Sequence, residues 1–248
     1  MREFFVALSP MKIILTFFLP AFLTLTTTAQ SVDSIFAKYI DFLGGKQRLQ
    51  SVQTRIDSGA YNYGGLEFPF VSYALAPDRY KYVVTFKGKY FAQAFDGKEG
   101  WKIDVFKNEK QKTLLKGDMA KAMANEADVK LESPFIDYKQ KGCAASLEGT
   151  DTVGGRLCHC IKLQFPNNST ALYCFDQQTG ALLEKIALSK NAELNNAILQ
   201  TFYTDYTNVN GLNIPFKTTN KIKDQTVLVI TLKGVALNPP ISAAIFKP

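Results

Sequence analysis

RYKYVVTFKGKYFAQAFDGKEGW, residues 79–101, alternates apolar and polar side chains around a two-residue break at Lys87-Gly88 and then turns at Phe95-Asp96-Gly97. The pattern predicts an antiparallel hairpin, because successive strand side chains point to opposite faces and the Gly at the break supplies a turn conformation other residues resist. If Phe86 pairs with Lys89, then Val84 falls opposite Phe91, Tyr82 opposite Gln93 and Tyr80 opposite Phe95. One face is then aromatic. The other sets Val83 against Ala92, Lys81 against Ala94 and Arg79 against Asp96, small or charged pairs that can meet water. A sheet with one apolar face must be covered, by the chain's own helices or by a ligand.

Upstream, Val32, Ile35, Phe36, Tyr39, Ile40 and Leu43 recur at helical spacing from Ser31 to Leu43, and Gly44-Gly45 ends the run. A short turn over Lys46–Val52 leads to strands at Thr54–Tyr63 and Leu66–Ala76, the second interrupted by Pro69, which argues for an edge or a bulge. Downstream the chain returns through Trp101, Ile103 and Val105, and the alternation stops near Leu115. Asp118 can cap a helix from Met119 to about Ala127. There Met119 and Met123 lie four residues apart on one helical face, suited to core filling or to roofing ligands of varied shape. Strands resume at 142–149, 156–165, 169–175, 181–188, 198–206, 211–220 and 226–232. The fold class is therefore mainly β (α+β). It is a large curled antiparallel sheet of about ten or eleven strands covered by an N-terminal and a mid-chain helix.

With 248 residues and 46% hydrophobic content the chain can bury a full core, and one domain over residues 30–248 is expected. Before it, Lys12 precedes an apolar run from Ile13 to Leu25, and Thr27-x-Ala29 offers the small residues a signal peptidase reads. Residues 1–29 thus read as a secretory signal peptide cleaved near Ala29-Gln30, with Met11 as an alternative start. The run is shorter than the ~20 residues a membrane span needs, and no cysteine for lipidation lies near the cleavage point. A soluble periplasmic protein, monomeric, is the expectation. The net charge of +7 is spread over scattered lysines with no basic stripe, so nucleic acid is excluded as a partner. The lysines suit solubility and, more weakly, attraction to anionic lipid headgroups.

Cys143, Cys158, Cys160 and Cys174 are an even set in an exported chain. A two-residue turn at Asn167-Asn168 places Leu163 opposite Leu172, Ile161 opposite Cys174 and His159 opposite Asp176. Cys174 then lies on the apolar face as a buried thiol, and the bridge to consider joins Cys143 to Cys158 or Cys160. His159 points away from its two cysteine neighbours, so Cys158-His159-Cys160 makes no metal site without a bulge, and His159 is expected in the core held by Asp176. It is the only histidine, which removes any histidine pair for catalysis or zinc. No phosphate loop and no nucleophile elbow is present, so neither catalytic residues nor cofactors are expected.

Several corners carry a further signal: Phe42-Leu43-Gly44-Gly45-Lys46, Phe95 to Trp101, Ser133-Pro134-Phe135-Ile136-Asp137-Tyr138, Phe175-Asp176-x-x-Thr179-Gly180, Asp205-Tyr206 to Phe216, and Asn238 to Pro248. Taken in order, they resemble exported proteins of the outer-membrane lipoprotein-sorting group, the LolA/LolB-like superfamily. The resemblance implies an open half-barrel whose concave face holds acyl chains under a helical lid. The expected function is a non-enzymatic binding protein for lipid or lipoprotein acyl chains, contacted by Phe68, Phe70, Tyr80, Tyr82, Val84, Phe91, Phe95, Met119 and Met123. The alternative is an envelope protein–protein interaction module whose core is filled by its own helices.

Overall fold

A computed structural model describes residues 31–115, 133–189 and 197–247. The leader, the mid-chain helix and with it Met119 and Met123 lie outside the described residues. Helix α1, Val32–Leu43, starts where the Ser31 hydroxyl accepts from the Ser34 N–H and stops at Gly44, whose φ is 121°. Its stripe of Ile35, Phe36, Tyr39 and Leu43 is buried, as the spacing predicts. A short helix α2, Lys46–Gln50, follows.

Among the described residues thirteen strands form one antiparallel sheet. They are β1 Thr54–Tyr63, β2 Leu66–Leu75, β3 Arg79–Phe86, β4 Lys89–Phe95, β5 Gly100–Asp104, β6 Glu109–Leu115, β7 Ala144–Val153, β8 Arg156–Gln164, β9 Thr170–Asp176, β10 Leu182–Leu188, β11 Ile198–Val209, β12 Leu212–Ile222 and β13 Gln225–Leu237. The order runs from β6 down to β1, crosses to β13 and continues down to β7, so two meanders are joined through the β1–β13 pair and the sheet is open at β6 and β7. The sheet is larger than the expected ten or eleven strands. β6 reads Glu-Lys-Gln-Lys-Thr-Leu-Leu, and a lysine-rich edge carries little apolar alternation to betray it.

The β3–β4 register is the one expected, from Tyr80 with Phe95 to Phe86 with Lys89. Lys87 and Gly88 both have positive φ, 47° and 74°, the signature of a hairpin turn whose twist matches its strands. Two other expectations fail. Pro69 lies in an interior strand rather than at an edge, and the β2–β3 ladder ends at Phe70–Val84, one residue short of it, so its missing N–H breaks no pairing there. The outer face of the hairpin does not meet water throughout. Ala92, Ala94, Trp101 and Ile103 are buried there, and the Trp101 indole N–H donates to the Phe246 carbonyl in a C-terminal 3-10 turn, Ala243–Phe246.

The β8–β9 connection corrects the cysteine expectations. Phe165 N–H donates to Ser169 O and Asn168 N–H to Phe165 O, with Asn168 at φ 62°, so three residues make the turn rather than two. Registers slip by one and every β9 side chain changes face. Cys160 now pairs with Cys174, and the two form a disulfide; Cys143 and Cys158 keep their thiols, so no bridge joins Cys143 to either. His159 faces Phe175 across the ladder instead of Asp176, and its Nδ1 lies 3.4 Å from the Gln177 amide. Asp176 instead accepts from Thr179 and pairs with Arg156 at 2.8 Å.

Candidate ligand cavity

The inner face of the sheet is the one that meets the helices. Across β8–β10 it is filled: Phe36 and Tyr39 of α1 pack with Phe135 and Phe175, with ring centroids 4.7 to 5.8 Å apart. The helix is held there at its C-terminal end. Gly44 sits against Gly211 of the β11–β12 turn, the Arg48 guanidinium donates to both their carbonyls, and the Asn213 amide donates to Phe42 O at 2.6 Å.

Beyond the end of α1 the filling is incomplete. A cavity of about 260 Å³ lies between the helices and strands β9–β13, lined by Leu43, Leu49, Val52, Leu182, Leu212, Ile214, Ile230, Leu232 and Leu237 with the rings of Tyr39, Tyr173, Tyr203 and Tyr206. Side chains from five successive strands converge on it, which the curl of the sheet alone allows. Burial pushes the phenol of Tyr206 up, and the same cause acts on Tyr39 and Tyr173, so all three stay neutral. The Tyr206 hydroxyl donates to Leu182 O at 2.8 Å. Two cations reach the lining, Arg55 and Lys185; Arg55 is bonded at 2.7 Å to the buried Asp57 carboxylate. Among the described lining residues there is no carboxylate. The lining is therefore mainly aliphatic and phenolic, with Arg55, Lys185, Ser133, Asn213 and Thr218 adding polar groups.

A second, open space lies further along the inner face. Leu228, two residues before Ile230 on β13, lines with Tyr61, Tyr63, Tyr82, Val84, Phe91, Asp104 and Phe106 a trough of about 520 Å³. The residues expected to touch a ligand divide accordingly. Tyr82, Val84 and Phe91 line the trough. Phe70, Tyr80 and Phe95 are buried beneath it, in a cluster with Leu212, Ile214 and Leu232, and Phe68 packs on Phe86 with centroids 4.7 Å apart. None of the expected residues that are described lines the first cavity. Its walls come from the helices and β9–β13, whose alternation at Leu212-Ile214 and Ile230-Leu232 is as regular as that of the hairpin but whose convergence needs the curl.

Among the described residues no three His, Cys, Asp or Glu side chains gather as a metal would require, and no helix is long and apolar enough to cross a membrane. No protein-family profile and no curated protein matches the sequence. Solved structures do match over nearly the whole fold. A LolA superfamily protein of Nitrosomonas europaea superposes with a TM-score of 0.55 at 12% identity, over 86% of this chain and 96% of that one. A putative outer membrane lipoprotein-sorting protein domain of Vibrio parahaemolyticus gives 0.55 at 9%, over 85% and 95%.

The fold is LolA-like. A DUF1329 family protein of Desulfovibrio piger shares it, with a TM-score of 0.59 at 13% identity over 88% of this chain and 98% of that one. The LolA-like sheet and helices are thus the common frame, and identities this low carry the architecture alone.

Proposed function

We propose that this chain is an exported, non-enzymatic envelope protein that holds a lipid or lipoprotein acyl chain between its helices and the concave face of its sheet. The cavity of about 260 Å³, walled mainly by aliphatic and neutral phenolic side chains, is the observation that carries the reading. At the ~30 Å³ of liquid volume a water occupies, such a space takes on the order of nine methylene-sized groups. At about 0.8 kcal/mol each, their burial contributes roughly 7 kcal/mol, of which association takes at least about 4. A tail confined to the cavity would bind weakly. A longer one running on past Ile230 and Leu228 into the trough gains contacts with Tyr61, Tyr82 and Phe91, so the arrangement suits an extended hydrocarbon more than a compact ligand. The likeness to a lipoprotein-sorting domain supports the same cargo class.

Displacement of a fluorescent fatty-acid probe tests this directly. Fatty acids of about sixteen carbons should compete at least tenfold better than those of about eight, and Ile214→Trp, which fills the cavity, should weaken both. Native mass spectrometry of gently purified protein should show a bound lipid mass. Apo protein alone, together with no probe uptake, would sink the proposal.

A further inference from the structure

Large apolar side chains left exposed are not spread evenly over this molecule. Of the nine that are exposed among the described residues, Tyr63, Leu66, Tyr90 and Phe106 lie in or beside three neighbouring turns. These are the β1–β2 turn, the β3–β4 turn and the 3-10 turn Val105–Lys107 between β5 and β6. The registers put the three turns at one end of the sheet: Tyr63 pairs with Leu66, Thr85 with Tyr90 and Phe91 with Asp104, and Tyr90, alternating with the inward Phe91, stands on the outer face of that end. Two of the four, Tyr63 and Phe106, also line the open trough, so this end of the sheet is the rim of its mouth.

Charge is sorted along the same axis. With the adjacent β12–β13 turn, the turns of the rim carry exposed Lys87, Lys107 and Lys223 against Asp224; Lys89 and Glu109 begin the strands that leave them, and Asp104 caps the 3-10 turn 4.0 Å from Lys107. Glu67, just inside the rim, is engaged by Lys233 at 2.7 Å. The turns at the other end of the same strands, β2–β3 and β4–β5, hold Asp78, Asp96 and Glu99 against Lys98. At the rim the Lys87 ammonium lies 5.2 Å from the centre of the Phe86 ring, so cation and aromatic surface are presented together. Rings and short aliphatic side chains ringed by lysines are what the headgroup zone of an anionic bilayer accommodates, the apolar bodies entering the interface while the ammonium groups stay at phosphate level.

The geometry points to the trough rim as a docking surface for an anionic lipid bilayer, with the mouth facing the membrane so that a hydrocarbon tail can pass between bilayer and trough. This rests on the acyl-chain reading for the cargo but makes a separate physical claim, adsorption of one end of the sheet. The contact is peripheral: four apolar side chains and a net two positive charges in the turns, three lysines against Asp224, favour reversible, salt-sensitive binding rather than insertion.

Co-sedimentation of the purified protein with vesicles tests it. Vesicles of phosphatidylcholine containing about one-third phosphatidylglycerol should bind the protein, pure phosphatidylcholine should bind it at least tenfold less, and added salt should release it. Lys87→Asn with Lys89→Gln and Tyr90→Ser should lower binding to the anionic vesicles roughly tenfold or more; Asn is chosen at 87 because it tolerates the positive φ there. The same variant should melt as the parent does and should keep fatty-acid probe uptake, since none of the three residues lines either space. Lys98→Gln with Lys162→Gln, an equal loss of charge elsewhere, should leave vesicle binding nearly intact. Equal binding to both vesicle types, or equal losses in the two variants, overturns the docking surface. Loss of probe uptake by Ile214→Trp with vesicle binding preserved would separate the two claims.

Discussion

Glu184 is only 5% exposed, with the Gln200 amide donating to it at 3.0 Å. Burial raises its carboxyl above the ordinary glutamate range, against the smaller opposing effect of that hydrogen bond. Between the unfolded value of about 4.3 and the higher folded one, the native state holds the extra proton, so stability falls as pH rises through that window and stays lower above it. Glu184→Gln keeps a hydrogen-bonding amide and removes the buried charge. Its melting temperature should exceed that of the parent at pH 7 and match it near pH 4, as thermal unfolding across pH would reveal; a lower value at pH 7 would mean that the carboxylate is needed in the fold. The cysteines lend themselves to a simpler count. With Cys160 and Cys174 bridged, unfolded unreduced protein should titrate two thiols; four would remove the bridge. At this scale the sequence was only partly legible. The face of Cys174 depended on whether Pro166 belongs to the strand or the turn, and a single residue's difference exchanged a buried thiol for a disulfide.

Elements were far easier to recognise than the angles between them. The β3–β4 hairpin was fixed by a two-residue break with a glycine and by aromatic alternation, both local, and α1 by a stripe and two glycines. What no local pattern announces is where α1 lands. Its C-terminal end is set by contact with a turn more than 160 residues away, through Arg48 and Gly211. Gly44 is the hinge of that contact: its φ of 121° lies where side chains rarely go, and a Cβ there would meet the Gly211 carbonyl and the Leu212 side chain. Gly44→Ala should therefore cost about 2 kcal/mol or more, combining backbone strain with a displaced helix end. Denaturant unfolding measures that loss, whereas Gly45→Ala, also at positive φ but with nothing within 4 Å, should lose less. Equal losses would show that strain alone matters and that the docking of α1 on the β11–β12 turn contributes little.

At the scale of the molecule, among the described residues, the helices fill one half of the inner face and leave the other half concave. The C-terminal turn meanwhile seals the outer face of β3–β5 through Trp101 and Phe246. A protein selected only for stability would close the remaining hollow, so the sign of a cavity-filling substitution distinguishes a retained binding space from loose packing. Leu232 lies on the wall of the cavity and is 9% exposed. Leu232→Phe adds ring atoms that a space of about 260 Å³ can receive without displacing neighbours. The added burial should stabilise the apo protein by about 1 kcal/mol, while the same ring removes room from the hydrocarbon and weakens fatty-acid probe binding severalfold. Melting and probe titration on one sample would then move in opposite directions. If the wall were in fact packed against its surroundings, overpacking would destabilise by about 1–3 kcal/mol and both readouts would fall together.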